Sequence, residues 1–365
     1  MRAIGLMSGT SMDGIDIALL GTNGENVLTF GPTDSVPYAE ADRALLRQAL
    51  ADAVALSDRT GRPGVLAEAE RRVTALHAAA VKRFLGRHGI DRSGIDVVGF
   101  HGQTVLHRPE ARLTVQIGDP AMLAAELDLP VVADLRVADV EAGGQGAPLV
   151  PVFHQALAVT GGLDLPALFI NIGGVANVTF VARDADPIAC DTGPGNALLD
   201  DLMNERTGTA CDRDGATAQR GQVDEAALAQ LMTHSFFAAP LPKSLDRNAF
   251  SRAPVAGLST PDAAATLTAF TAASIAAVLD HLPARPVIAV VCGGGARNPA
   301  LMAALAERLP CRVAGAGAFG WDADAIEAQA FAYLAVRARR GLPLTFPTTT
   351  GVPRPLTGGR VVMPG

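Results

Sequence analysis

Two stretches of this chain are built alike: an apolar strand, a tip of glycine and small polar residues, and a second apolar strand. RAIGLM (2–7), SGTSMDG (8–14) and IDIALL (15–20) make the first, and ALFINI (167–172), GGVAN (173–177) and VTFVA (178–182) the second. Apolar runs joined by a short glycine-bearing turn predict hairpins. A hairpin that returns near mid-chain predicts two related lobes. Helical spacing marks 40–56, 65–86, 120–127, 197–203, 262–281, 299–308 and 322–340. Between them, 95–100, 113–117, 130–133, 187–190 and 287–292 read as short strands, the first running directly into HGQT (101–104). Strands alternating with helices predict an α/β fold with parallel sheets covered on both faces. The Pro-, Gly- and Thr-rich tail, 341–365, reads as an ordered loop-like segment.

At 365 residues the chain has room for about two domains. We place the N-terminal lobe at 1–133, with the tail 345–365 packing back on it, and the C-terminal lobe at 134–344. Hydrophobic residues are 49% and aromatics only 4%, so Ala, Val, Leu and Ile must fill the cores. A net charge of −7, with only Lys82 and Lys243 as lysines, argues against a nucleic-acid partner. Cys190, Cys211, Cys292 and Cys311 form no C-x-x-C pair and read as reduced thiols. Asp13 and Asp16 interrupt the N-terminus too early for a signal peptide, and no apolar run approaches the ~18 residues of a membrane span. These features predict a cytoplasmic protein with no membrane partner.

Three glycine loops adjoin buried strands: SGTSMDG (8–14), IGGVAN (172–177) and CGGGARN (292–298). Glycine lets a backbone approach a ligand closely, and successive N–H groups make an anion-binding concavity. Three such loops fit a nucleotide held between two lobes. There is no G-x-x-x-x-G-K-[ST]. GAGAFG (315–320) has dinucleotide-binding spacing but lacks a strong preceding strand and a following acidic residue. Asp191, in DTGPGN (191–196), sits at the carboxyl end of a strand. It reads either as a helix cap or as a general base. HGQT (101–104), Asp119, Arg136 and GGQGAP (143–148) supply polar groups suited to sugar hydroxyls and a carboxylate. Arg136 has the fork for a carboxylate, or for an ion pair. Glu327 lies on the last long helix, where spacing does not decide between surface and cleft. Lys243 reads as a solvated loop lysine. No H-E-x-x-H or G-x-S-x-G is present.

GLMSGTSMDGID (5–16), GFHGQTVLHRP (99–109), QIGD (116–119), ADLRVADVEAGGQGAPLVP (133–151), NIGGVAN (171–177), DTGPGN (191–196), CGGGARN (292–298) and DADAIEAQAFAYLA (322–335) together resemble the anhydro-N-acetylmuramic acid kinase family, over essentially the whole chain. The resemblance implies a two-lobed actin-like ATPase or sugar-kinase fold, ribonuclease H-like, with a cleft between the lobes. It implies that 1,6-anhydro-N-acetylmuramic acid is opened by water and phosphorylated on O6, with ATP and Mg²⁺. Carried over by motif, Gly9, Thr10, Ser11, Met12, Asp13, Gly14, Ile15 and Asp16 would wrap the ATP phosphates, joined by Gly173 and Gly174. Gly293, Gly294 and Asn298 would lie near the adenosine. Asp191 would be the base. Gln103, Thr104, Arg136 and Glu327 would bind the sugar. Asp13 would hold water on the magnesium ion, whose direct ligands the sequence leaves unknown. A homodimer is also implied. PKSLDRN (242–248) departs from the family's P-K-S-T-G-R-E. The alternatives are an ordinary sugar kinase of the same fold and an actin-like, nucleotide-dependent binding protein.

Overall fold

The computed structural model describes residues 1–245 and 249–365. It opens with an antiparallel meander: β1 (Arg2–Ser8), β2 (Gly14–Thr22) and β3 (Val27–Pro37). Helices α1 (Glu40–Ala53) and α2 (Leu66–Arg87) lead to β4 (Val97–Arg108), which returns parallel to β1. β5 (Leu113–Ile117) pairs antiparallel with β4. α3 (Pro120–Leu127) leads to β6 (Val131–Ala133), parallel to β4. α4 (Val137–Glu141) and α5 (Pro151–Thr160) follow.

The same plan then repeats. β7 (Ala167–Ile172), β8 (Ala176–Val181) and β9 (Ile188–Gly193) form a second antiparallel meander. After α6 (Ala197–Thr207), α7 (Glu225–Leu231) and α8 (Thr260–Ala277), β10 (Ile288–Cys292) returns parallel to β7. α9 (Pro299–Arg308) brings β11 (Arg312–Gly315) parallel to β10. The chain ends with α10 (Ile326–Arg339), α11 (Pro347–Thr350) and β12 (Arg360–Val362), the last antiparallel to β6. One sheet runs β12-β6-β4-β1-β2-β3, with β5 on β4, and the other runs β11-β10-β7-β8-β9. The two expected hairpins therefore each begin one sheet. Both sheets are mixed rather than parallel, because a hairpin fixes antiparallel neighbours.

Two compact units result: 1–160 with 325–365, and 161–324. These bounds differ from the expected 1–133 and 134–344 at two places. The first is α10, which belongs with the first unit because β1 and β4 carry glycine where it crosses them. A Cβ on Gly5 would stand 1.8 Å from the Ala328 carbonyl oxygen, and one on Gly99 would stand 2.1 Å from that of Phe331. The second is 134–160. There Thr160 Oγ1 accepts from the Val27 N–H, and Phe153 packs on Tyr333 with ring centroids 5.4 Å apart. The tail is tied to the first unit by the β12–β6 ladder and by Arg360, which shares Asp134 with Arg59.

Four local readings change. The strand expected at 95–100 does not stop there, because β4 continues through HGQT to Arg108. β9 likewise carries Asp191, Thr192 and Gly193 inside the strand. The missed β3 is an edge strand, largely exposed, so VLTFGPTDSVP lacks the apolar alternation that marks a buried one. The helical stretch Thr260–His281 is long and apolar enough to cross a membrane, contrary to the sequence reading. It is nevertheless mostly buried, with Leu267, Phe270 and Ile275 inside the second unit's cores.

Candidate active site

In the first unit the polar tip between β1 and β2 closes as a turn. The Met12 N–H donates to Gly9 O at 3.1 Å, with Met12 at φ +56°. The Tyr38 N–H donates to Asp13 O at 3.0 Å. Ser8 is fully buried beneath the tip, and its hydroxyl donates to Gln103 Oε1 at 2.5 Å. That leaves the Tyr38 hydroxyl as donor in the 2.8 Å contact to Ser8 Oγ. Burial pushes the Tyr38 phenol up to about 12, which keeps it a neutral donor. Gln103 Nε2 donates to Gly9 O at 3.1 Å. Both ends of the Gln103 amide thus hold the loop.

A cavity of about 340 Å³ opens beside this tip, lined by Gly9, Ser11, Asp13, Gly14, Asp16, Arg43 and Glu327, among others. Thr10 is exposed at the tip. Ile15 is 1% exposed within the core, so only its backbone can face a ligand, and Met12 is partly buried against the same core. Sequence reasoning missed Arg43. It sits on α1, and its Nε is buried with no partner among the described residues. A lone Arg on an amphipathic helix gives no sequence signal of this. Glu327, in the first turn of α10, is reached by solvent yet walled in by protein. Desolvation raises its carboxyl, opposed by the positive charge of Arg136 and reinforced by Asp16. The sugar-side expectation for Glu327 therefore has a cavity to act in.

Arg136 precedes α4 and is partly exposed. Its Nη1 donates to Gly146 O at 2.8 Å, and Nε and Nη2 both lie 3.2 Å from His101 Nε2. Gly146 N–H in turn donates to Asp139 Oδ1 at 2.6 Å. Thr104 Oγ1 accepts from Gln116 Nε2 at 3.2 Å. Asp119 caps α3 by accepting from the Ala121 and Met122 N–H groups, so its carboxylate is engaged structurally.

In the second unit the loops of 173–174, 194–196 and 293–294 converge at one end of the sheet. Asn196 N–H donates to Gly173 O at 2.8 Å. A Cβ on Gly293, at φ +74°, would stand 2.6 Å from Asn171 Oδ1, so only glycine fits there. Asn298 spends its side chain capping α9, accepting from the Ala300 and Leu301 N–H groups. GAGAFG spans the end of β11 and a single 3₁₀ turn.

Cross-strand register aligns Asn171 on β7 with Asn177 on β8, and Asn177 with Asp191 on β9. Paired residues share a face, so the three form a polar row near the glycine tips. Asp191 caps no helix: α6 has Asn196 at its N-cap position, without a side-chain cap. Asp191 Oδ2 accepts from the Leu245 N–H at 2.7 Å. Desolvation raises its carboxyl from 3.8 to about 6, and the Leu245 hydrogen bond opposes the rise. Lys243 is not a solvated lysine: its Nζ donates to Phe236 O and Phe237 O and sits 4.6 Å from the Phe236 ring centroid. Of PKSLDRN, residues 246–248 lie outside the described residues.

The sequence model described as anhydro-N-acetylmuramic acid kinase matches residues 1–364. Two proteins named anhydro-N-acetylmuramic acid kinase are similar over 100% of both chains. The one from Azorhizobium caulinodans is 63% identical, and the one from Rhodopseudomonas palustris is 56% identical. A third, from Rhodospirillum rubrum, is 57% identical over 98% of this chain and 93% of its own. With its whole length matched at that identity, the chain belongs to the anhydro-N-acetylmuramic acid kinase family.

Proposed function

We propose that this protein is a kinase that uses ATP and water to open 1,6-anhydro-N-acetylmuramic acid and phosphorylate O6, giving N-acetylmuramic acid 6-phosphate for cell-wall recycling. The observation that carries the reading is Asp191, a desolvated carboxylate within β9 that caps no helix, in a chain matched end to end by the family.

In this reading Asp191 accepts a proton from a water as that water's oxygen bonds to the anomeric carbon. The C1–O6 bond breaks and its electron pair goes to O6. O6 then bonds to the γ-phosphorus as the bond to ADP breaks, and the proton on Asp191 leaves to solvent. Ring opening and phosphoryl transfer assist each other because charge built in one step is consumed in the next. An acid–base group with a pKa near the working pH suits this task. The backbones of Gly9–Gly14, Gly173–Gly174 and Gly293–Gly294 would bind phosphate and nucleotide through the N–H groups that their own turns leave over, the Met12 N–H being spent on Gly9 O and the Gly173 N–H on Val175 O, and fixed dipoles of this kind stabilise charge as it develops. Arg136 takes the lactyl carboxylate, and Glu327 and Thr104 the sugar hydroxyls. Gln103 contributes by holding Ser8 and Gly9.

The donor set fits Mg²⁺. Asp13, Asp16 and Ser11 line the cavity with hard oxygen donors. Among the described residues no group of three or more His, Cys, Asp or Glu forms a protein cage. That suits an ion that keeps waters and nucleotide phosphates as ligands. Asp13, through water, and Asp16 would hold it, and it would supply charge neutralisation of the phosphates. The reading also places the protein in the cytoplasm as a homodimer.

ADP release tests the reading. It should be strongly stimulated by 1,6-anhydro-N-acetylmuramic acid and hardly by glucose, N-acetylglucosamine or unfolded peptide. Equal stimulation by an ordinary hexose, or stimulation by peptide alone, would overturn it.

A further inference from the structure

His101 lies on β4 and is 6% exposed. Its Nδ1 is 2.8 Å from Gly102 O, an atom that can only accept, so Nδ1 carries the ring proton. Nε2 then offers a lone pair, and two donors meet it: Arg136 Nε and Nη2, each at 3.2 Å. A proton on Nε2 would face two guanidinium N–H groups. The neutral Nδ1–H imidazole is therefore the form this geometry accommodates. Desolvation and the charge of Arg136 act the same way, against the Gly102 and Ser8 carbonyls, and bring the ring to about 3. The ring plane is fixed by Phe331 on α10, with centroids 4.8 Å apart. Phe331 lies one helical turn after Glu327, so α10 both clamps His101 and supplies the carboxylate whose charge reaches Arg136.

A guanidinium has five N–H donors. His101 and Gly146 take three of Arg136's, leaving one on each terminal nitrogen uncommitted among the described residues. We propose that His101 is a positioning residue: as a neutral acceptor it holds the Nε/Nη2 edge of Arg136, so that the remaining N–H pair is presented to the carboxylate of the sugar substrate. His101 thereby helps set the preference for a carboxylate-bearing anhydro sugar. The proposal rests on the reading of Arg136 as the carboxylate ligand.

The test is a double-mutant cycle read as KM against kcat. His101→Phe keeps a ring against Phe331 and deletes the acceptor; His101→Gln restores one. Arg136→Met deletes the guanidinium. His101→Phe should raise KM for 1,6-anhydro-N-acetylmuramic acid about tenfold or more, the scale of a hydrogen bond to a charged group, with kcat and the KM for ATP within about threefold. His101→Gln should recover most of that loss. In the Arg136→Met background, His101→Phe should raise KM no further. If Arg136→Met leaves KM unchanged, the Arg136 reading fails and this proposal with it. If Arg136→Met raises KM but His101→Phe adds the same factor in both backgrounds, or none in the wild type, Arg136 stands and His101 is not its positioner. Nitrogen NMR of the wild-type protein gives a check that needs no variant. His101 should show a protonated Nδ1 and a bare Nε2 from pH 5 to 8, and a protonated Nε2 would overturn the proposal.

Discussion

The backbone N–H of Leu245 donates to Oδ2 of Asp191 at 2.7 Å, while Asp191's own N–H donates to Lys243 O at 2.9 Å. The 243–245 loop thus lies along the outer edge of β9, the last strand of its sheet, and grips one carboxylate oxygen. The other oxygen makes no hydrogen bond among the described residues. Lys243, anchored on two carbonyls and the Phe236 ring, fixes the loop from its other side. A carboxylate held on one side and desolvated, and capping no helix, is what the proposed general base requires.

Asp191→Asn keeps this shape and removes the proposed base. Turnover should fall by roughly 10²–10⁴-fold, with little change in ATP affinity. Steady-state rates and nucleotide titration check both, and normal turnover would remove Asp191 from the chemistry.

The same substitution should stabilise the fold. Burial holds the folded carboxyl near 6 against an ordinary 3.8, so its ionised form disfavours the native state. That penalty is absent below pH 3.8, grows as pH rises, and is full above about 6, where it is worth at most about 3 kcal/mol. Thermal melts at pH 7.5 should show Asp191→Asn melting higher than wild type, and the gap should close at pH 4. An unchanged or lowered melting temperature at pH 7.5 would contradict the desolvation argument.

The acid limb of the pH profile follows from the same group. The proposed base must be ionised to act, so kcat/KM should fall about tenfold per pH unit below about 6. Glu327 is also raised, so the control is the residual activity of Asp191→Asn, which should lack this limb. A limb that persists there assigns it to another group.

The sequence made the glycine-tipped hairpins and the buried β10 legible, because buried strands bounded by glycine carry strong local signals. Asp191 stood out because DTGPGN follows a short apolar run, although β9 extends through it to Gly193. The exposed β3 carried no such pattern. The packing of α10 on β1 and β4 depends on Gly5 and Gly99, which look like ordinary strand residues until the helix backbone is seen above them. The tasks of Gln103, Lys243 and His101 were equally hidden. Each depends on partners 94, 7 and 35 positions away, and spacing cannot supply those.

Gly5 gives a direct test of that packing. Gly5→Ala would place a Cβ 1.8 Å from the Ala328 carbonyl oxygen, a backbone atom that cannot swing aside. Overpacking of this kind should destabilise the first unit by about 1–3 kcal/mol or more. Urea titration measures it, and a wild-type midpoint would mean that α10 does not lie so close.

Gln103→Ala should act on the proposed phosphate loop through Ser8 and Gly9. It leaves the buried Ser8 hydroxyl and Gly9 O without their partner, so KM for ATP should rise roughly 3–30-fold. A loss confined to the KM for sugar would instead make Gln103 a sugar ligand.

The central claim is that water opens the anhydro bridge as O6 takes the phosphoryl group. The mass of the product formed from 1,6-anhydro-N-acetylmuramic acid and ATP in heavy-oxygen water, quenched within the first turnovers, tests it most directly. The account predicts a gain of one phosphoryl group plus one water, with the heavy oxygen on C1 and the phosphate on O6. A gain of a phosphoryl group alone, with the bridge intact, would contradict it.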